Sequence, residues 1–426
     1  STLFPYTTLF RSPYRFGGTR ELETFQRLNR ARNLNEFKAA LQFFDAGSQN
    51  FIYGDIHGNI AYFTSGEVPL REDLEAGTVN QVPPWFIRSG QGGHEWIRKA
   101  SPGPTDGTGY EYLPFEELPQ VVNPRSGFVV NANNDPAGVT LDNNPVNQLR
   151  SGRNSIYYLG YAFDFGTRAG RITQMLRDKL AKGRADADDM ADIQADVTLL
   201  DAQVLAPYIV RAFENAGASG APAELRAFTA DARIAEAVRR LDKWNYTAPT
   251  GVEVGYDGSD RDGDLSRPKR REIDASIAAT IYSVWRGQAI GNGVDRRLQT
   301  LGVPTPGSGE AIKALRHLLE RDGIGFSAQD FFGWAGLGDP ADRRDFVVLQ
   351  SLEDALDLLA GPAFAAAFDG STDQGDYRWG KLHRITFDGI VLGGPTSIPG
   401  ATPGFPPSFD GLPGIAADGE IGRAHV

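Results

Sequence analysis

Strand-like segments lie in the first third of this chain, before a long series of helical segments, and this order constrains the fold most. Residues 50–55 and 60–64 each have the pattern of a short strand, and Ile56-His57-Gly58-Asn59 between them has the residue types of a tight turn. The two strands are therefore predicted to form a hairpin. A further strand is predicted over 127–132, and it ends at Asn133-Asn134-Asp135-Pro136.

Helical patterns occupy most of the remaining chain, because apolar residues recur there every three or four positions. The predicted helices span 20–44, 168–182, 188–215, 223–244, 271–288, 309–321 and 342–359. Another strand is predicted over 382–387. Strands followed by helices and again by strand predict an α+β fold, with one domain that carries a large helical insertion around 168–370.

Charge and residue usage exclude several classes of protein. The formal net charge of -11 argues against a nucleic-acid partner, because proteins that bind nucleic acids usually present a basic surface. The 426 residues include no cysteine, so disulfides, thiol nucleophiles and iron–sulfur clusters are excluded. The five histidines are scattered without a metal-ligand spacing, which argues against a zinc enzyme. No apolar run is long enough for a membrane span.

The two ends of the chain have the character of foreign sequence. Residues 2–12 resemble the translation of a common short-read sequencing adapter, and residues 420–426 resemble the opposite adapter. We therefore expect 1–12 and 420–426 to be adapter-derived and 13–419 to be the natural part. A natural extended N-terminal tail is the alternative. Ser12 would be an adapter residue and not a nucleophile.

Three candidate sites each have a plainer interpretation. Residues 257–264 are rich in aspartate but lack the ligand spacing of an EF-hand, which favours a solvated turn over a calcium site. Adjacent Glu116 and Glu117 would point to opposite faces of an extended segment, which favours surface charge over a catalytic pair. His383 is interpreted as a hydrogen-bonded structural histidine rather than a base, because no serine or aspartate pattern accompanies it.

Three sequence blocks, in this order, resemble the penicillin acylase family. The first is FDAGSQNFIYGDIHGNIAY at 44–62. The second and most specific runs from LPFEELP at 113–119 through VNPRSGF at 122–128 to NANN at 131–134. The third is YRWGKLHR at 377–384, and RAGRI at 168–172 is a weaker fourth match. The resemblance covers nearly all of residues 13–419.

The resemblance implies an Ntn hydrolase with a partial αββα sandwich, in which a precursor cleaves itself and exposes a serine at the new N-terminus of its large chain. The α-amine, whose pKa is about 8, can act as the base of that serine, so no histidine is needed. The present residues then form part of the large chain. The partners implied are the enzyme's own small chain and a small acyl-amide substrate, such as a β-lactam or an acyl-homoserine lactone.

The resemblance also assigns two site residues. Asn133, the first asparagine of the pair, matches the family's side-chain donor to the oxyanion of the tetrahedral intermediate. Its residue type alone suits a turn equally well. Arg171 matches an arginine that organises hydrogen bonds near the nucleophile, and a solvated charge early in a helix is its alternative. Asn133 is expected near a strand end with Arg171 close by.

Further expectations follow from the same resemblance. No cofactor is required for the chemistry, and a structural calcium is possible in the full-length parent, with no ligands assigned here. A periplasmic or secreted location is expected. The chain as given, which lacks the serine, is expected to be inactive. The alternatives are a non-catalytic secreted binding protein that keeps the fold and a purely structural helical domain.

Overall fold

The computed structural model describes residues 19–79, 82–101, 109–253 and 266–383. Contacts divide the chain into two compact units, the first ending at Ala169 and the second beginning at Gly170. Both ends that we predict to be adapter-derived lie outside the described residues, as do the aspartate-rich stretch 257–264 and residues 384–387 of the last predicted strand.

The first unit begins with two helices where one was predicted over 20–44. Helix α1 spans Glu21–Leu28 and helix α2 spans Leu34–Leu41. The break occurs because Asn33 is an N-cap: its side chain accepts a hydrogen bond from the Glu36 backbone N–H at 2.9 Å. The apolar spacing continued across the break and concealed it.

A three-stranded antiparallel sheet follows, in the order β1-β2-β3. Strand β1 spans Gln49–Gly54, β2 spans Ile60–Ser65 and β3 spans Gln120–Val122. The predicted hairpin is confirmed, with Gly54 opposite Ile60. Phe63 of β2 is fully buried with Leu41 and Ala61, and partly buried apolar residues pack around them, including Phe37, Phe51 and Phe115.

The strand predicted over 127–132 is wrong. The third strand lies earlier, and the chain leaves the sheet at Asn123, whose φ is 48° and whose side chain accepts from the Ile60 backbone N–H at 3.0 Å. Pro124, which has no N–H, then prevents continued pairing. In the described part of the following loop, Asn134 forms a single parallel bridge with Asp164. An apolar run becomes a strand only where another strand can pair with it.

The first unit also contains the short helix α3 at Glu72–Glu75, and helix α4 spans Thr167–Leu180. Further along lie α5 at Ala187–Gln194, α6 at Leu200–Ala216, α7 at Ala223–Thr229, α8 at Ala232–Asp242, α9 at Arg270–Ile290, α10 at Arg296–Thr300, α11 at Ser308–Glu320, α12 at Pro340–Leu359, α13 at Ala365–Phe368 and α14 at Trp379–Leu382. The helices predicted over 188–215 and 223–244 are thus each divided in two. Local caps cause the second break, since Asp231 accepts from the Arg233 backbone N–H at 2.7 Å.

Helix α9 forms the centre of the second unit. Every residue from Ala275 to Arg286 is buried, as expected for a helix that is enclosed by neighbours on all sides. It packs against α12 and α8. Trp285, which is fully buried, donates its indole N–H to the Val348 carbonyl of α12 at 3.0 Å. A large apolar core therefore stabilises this unit.

The Trp379-Gly380 pair packs closely against this core. The Trp379 backbone N–H donates to the Ser276 hydroxyl at 2.7 Å, and a Cβ on Gly380 would lie 2.7 Å from the Thr250 Cβ. Close packing thus requires glycine at this position. Leu382 ends helix α14, so the strand predicted to begin there is wrong at that residue. None of the helices in the described ranges combines the length and apolar character needed to cross a bilayer.

Candidate active site

Asn133 lies in a loop of the first unit that its own side chains hold in place. Its backbone is left-handed, with φ at 61°, a conformation that asparagine tolerates better than most residues. The Asn133 N–H donates to the Asn131 side chain at 3.3 Å, and the Ala132 N–H donates to the Asn134 side chain at 3.2 Å. The Asn133 carbonyl accepts from the Asp164 N–H at 3.0 Å. The side chain itself is exposed.

Arg168, in the first turn of α4, fixes the orientation of the Asn133 amide. Its Nη2 donates to Asn133 Oδ1 at 3.0 Å and to the Ala132 carbonyl at 2.8 Å. A guanidinium can only donate, so the oxygen of the amide must face it. The Asn133 NH₂ group consequently points away from Arg168, and it donates to no residue in the described ranges.

Asp164 completes a closed network with these two residues. Its carboxylate accepts from Arg168 Nη2 at 2.8 Å and from Nε at 3.1 Å, while its backbone N–H binds Asn133. The Gly166 N–H also donates to Asp164, at 3.0 Å. Neither Asp164 nor Arg168 was predicted from the sequence as a site residue. Their four-residue spacing was an available but weak signal of an ion pair.

Asp135 stabilises the next turn of the loop through hydrogen bonds to its carboxylate. Its carboxylate accepts four hydrogen bonds, from the N–H groups of Ala137, Gly138 and Thr140 and from the Thr140 hydroxyl, at 2.7–3.0 Å. Burial raises the pKa of Asp135, but these hydrogen bonds outweigh burial and the pKa lies below its ordinary value. A carboxylate held in this way supports the loop and is a poor general base.

Arg171 is engaged by Asp196 in the second unit. Its Nε and Nη2 donate to the two carboxylate oxygens at 2.8 and 2.7 Å, a bidentate ion pair. The described partner of Arg171 is thus Asp196, and that of Asn133 is Arg168. The predicted role of Arg171 near a nucleophile stays a prediction, whereas the network places Arg168 in contact with the predicted oxyanion donor.

The Arg171–Asp196 pair gives stability that depends on pH. Burial raises the pKa of Asp196, but Arg171 and the Thr198 N–H and hydroxyl outweigh it, so the folded pKa lies below the ordinary 3.8. A group whose pKa is lower in the folded than in the unfolded state stabilises the fold at pH values above the unfolded pKa. This stability is lost as pH falls through the folded pKa.

The free energy of unfolding, measured in urea between pH 6 and pH 3, should therefore fall less steeply with pH in Asp196→Asn than in the wild type. The exposed control Asp242→Asn should keep the wild-type slope, and equal slopes in all three proteins would contradict the assignment.

The Glu116–Glu117 pair and His383, which are the other candidates from the sequence, lie within the described residues. The Glu117 carboxylate accepts from Arg150 Nε and Nη2 at 2.8 and 3.0 Å, whereas Glu116 is exposed. The hydrogen bonds from Arg150 hold the pKa of Glu117 below its ordinary value. The ring of His383 stacks on Trp379, with 5.5 Å between centroids. These contacts agree with structural roles for Glu117 and His383, and the exposure of Glu116 agrees with surface charge.

The described residues offer no group of three or more histidine, aspartate or glutamate side chains placed to hold a metal ion. The possible structural calcium of the full-length parent is not tested by these residues.

Comparison with known proteins identifies the family to which this chain belongs. The model of the penicillin amidase family matches residues 5–409, and the chain therefore belongs to that family of amide hydrolases. Among individual proteins, it is similar to penicillin G acylase of Escherichia coli, with 31% identity over 144 residues. That match covers 34% of this chain and 13% of the relative.

Proposed function

We propose that this chain is part of an enzyme that hydrolyses an amide between an acyl group and an amine, with Asn133 as an oxyanion donor. The observation that carries the proposal is the Arg168–Asn133 contact of 3.0 Å, which turns the amide NH₂ outward from the network. A neutral amide can donate to a developing oxyanion without competing as a base. Membership in the penicillin amidase family supports the same reaction class.

The proposed reaction proceeds through an acyl-serine. The hydroxyl oxygen of an N-terminal serine attacks the amide carbon while its proton passes to the α-amine. Asn133 Nδ2 donates to the carbonyl oxygen as it becomes negative. The C–N bond then breaks, the amine leaves with the proton, and water releases the acyl group as a carboxylic acid. A chain without this serine is expected to be inactive, since the remaining groups retain little catalysis.

The wider setting is proposed from the family alone. It comprises an αββα Ntn fold, self-cleavage into a small and a large chain, a β-lactam or acyl-homoserine-lactone type of substrate, and a periplasmic or secreted location. The test is to express the natural precursor with its small chain and to follow release of a chromogenic amine from a panel of acyl-amides. Hydrolysis above the level of a serine variant supports the proposal, and binding without turnover would move the function to the non-catalytic alternative.

Arg168 is proposed to position Asn133 rather than to contact substrate. In the processed enzyme, Arg168→Met should lower kcat by about tenfold, on the scale of one lost charged hydrogen bond, with KM nearly unchanged. Arg168→Lys should recover part of the lost kcat, because an ammonium can donate to Asn133 Oδ1 but cannot reproduce the planar set of N–H donors of a guanidinium. The exposed Arg177→Met, on the same helix, is the control. A change in KM alone would contradict the positioning role.

A further inference from the structure

A basic cleft lies in the second unit between the end of α8 and the start of α9. Its volume is about 520 Å³, within the range of small-molecule sites. Five of its lining side chains are cations and one is a carboxylate: Arg239, Arg240, Lys243, Arg270, Arg271 and Asp274. Positive charge is thus concentrated here in a chain whose formal net charge is -11.

Three of these cations have no compensating partner among the residues that the structure describes. Arg240 is paired with Glu236 at 2.6 Å and Arg270 with Asp274 at 3.2 Å. The exposed side chains of Arg239, Lys243 and Arg271 make no ion pair or hydrogen bond with any described residue. Surface cations are commonly solvated, but here three of them share one concave site. The cleft therefore has an excess of positive charge.

The helix dipole of α9 strengthens the positive potential on one side of the cleft. Arg270 and Arg271 lie in the first turn of α9, at the positive end of this dipole, where cations are unfavourable. These cations are therefore held there at a cost that a bound anion would relieve.

We propose that this cleft binds a soluble small molecule that carries phosphate groups. Three unpaired cations require about two or more negative charges for compensation, and a phosphate monoester supplies nearly two. The planar fork of arginine matches phosphate oxygens in pairs, and lysine adds a point charge. A monocarboxylate would leave most of the positive charge uncompensated. The site involves none of the residues assigned to amide hydrolysis.

The test is calorimetric titration of the purified chain with inorganic pyrophosphate at fixed ionic strength. Wild type should bind, and the triple variant Arg239→Gln, Lys243→Gln, Arg271→Gln should bind more than tenfold more weakly, since each lost contact is a charged hydrogen bond. The matched control changes three exposed cations elsewhere in the same unit, Arg177→Gln, Arg226→Gln and Lys313→Gln, and should retain affinity within about twofold.

Three outcomes would overturn the proposal. They are absence of pyrophosphate binding by wild type, equal weakening in both triple variants, and equal binding of acetate at the same ionic strength. A parallel titration with phosphatidylglycerol vesicles, against phosphatidylcholine vesicles, distinguishes the source of the phosphate. Binding to the anionic vesicles without binding of pyrophosphate would identify a lipid surface and contradict a soluble ligand. Circular dichroism checks that the variants are folded.

Discussion

Replacing Asn133 by alanine in the processed enzyme is expected to lower kcat for amide hydrolysis by about 10²–10³-fold. This is the usual loss when one oxyanion donor is removed, because the developing charge then has one fewer preorganised partner. KM should change little, since the donor acts mainly on the transition state. Steady-state kinetics with a chromogenic acyl-amide measures both constants.

A control for backbone strain is available in the same region. Asn143 is also exposed and also left-handed, with φ at 64°. Asn143→Ala therefore imposes a comparable backbone cost without removing the proposed donor, and it should leave kcat within about threefold. If both variants lose activity equally, Asn133 serves the shape of the loop and another group binds the oxyanion.

The largest expected effect on stability is at Asp201. Its carboxylate accepts from Arg286 and, at 2.8 Å, from the Tyr282 hydroxyl, and Asp201 and Arg286 are 4% and 1% exposed. Asp201→Ala would remove the buried carboxylate that accepts from the buried Arg286 guanidinium. The free energy of unfolding should fall by about 3–5 kcal/mol, measured by urea denaturation.

Two comparisons separate the charge effect from the loss of packing. Asp357, whose side chain is 61% exposed, pairs with Arg233, and Asp357→Ala should cost less than about 1 kcal/mol. Replacing these three side chains together, with Asp201→Leu, Tyr282→Phe and Arg286→Met, should recover most of the loss, since the buried carboxylate and guanidinium are then removed together. A triple variant as unstable as Asp201→Ala would show that the network itself stabilises the unit.

The sequence predicted much of the secondary structure because local rules determine it. The hairpin followed from two apolar runs around Ile56-His57-Gly58-Asn59, where Asp55 accepts from the His57 and Asn59 N–H groups at 2.9 Å. The buried helix α9 likewise followed from its apolar run. Breaks inside the long helices were missed, because apolar spacing continues on both sides of a cap such as Asp231.

What the sequence could not provide was the pairing of distant residues. Residues 127–132 have the composition of a strand, yet the structure gives β2 a different partner, Gln120–Val122. Asn133 was identified through a motif, whereas Arg168 and Asp164 became visible only when the fold placed them against it. The basic cleft likewise joins the ends of two helices that are separated by about thirty residues, and no local pattern predicts such a contact.

The most direct test of the proposed amidase is to look for the acyl-enzyme. The processed two-chain enzyme would be mixed with an acyl-amide substrate, quenched in acid during turnover and digested for peptide mass spectrometry. We expect the N-terminal peptide of the large chain to gain the mass of the acyl group less one hydrogen, located on its serine. The acylated fraction of this peptide should be larger in Asn133→Ala if deacylation is slowed more than acylation. Turnover with no acyl group on that peptide, or an acyl group carried by another residue, would contradict the acyl-serine mechanism.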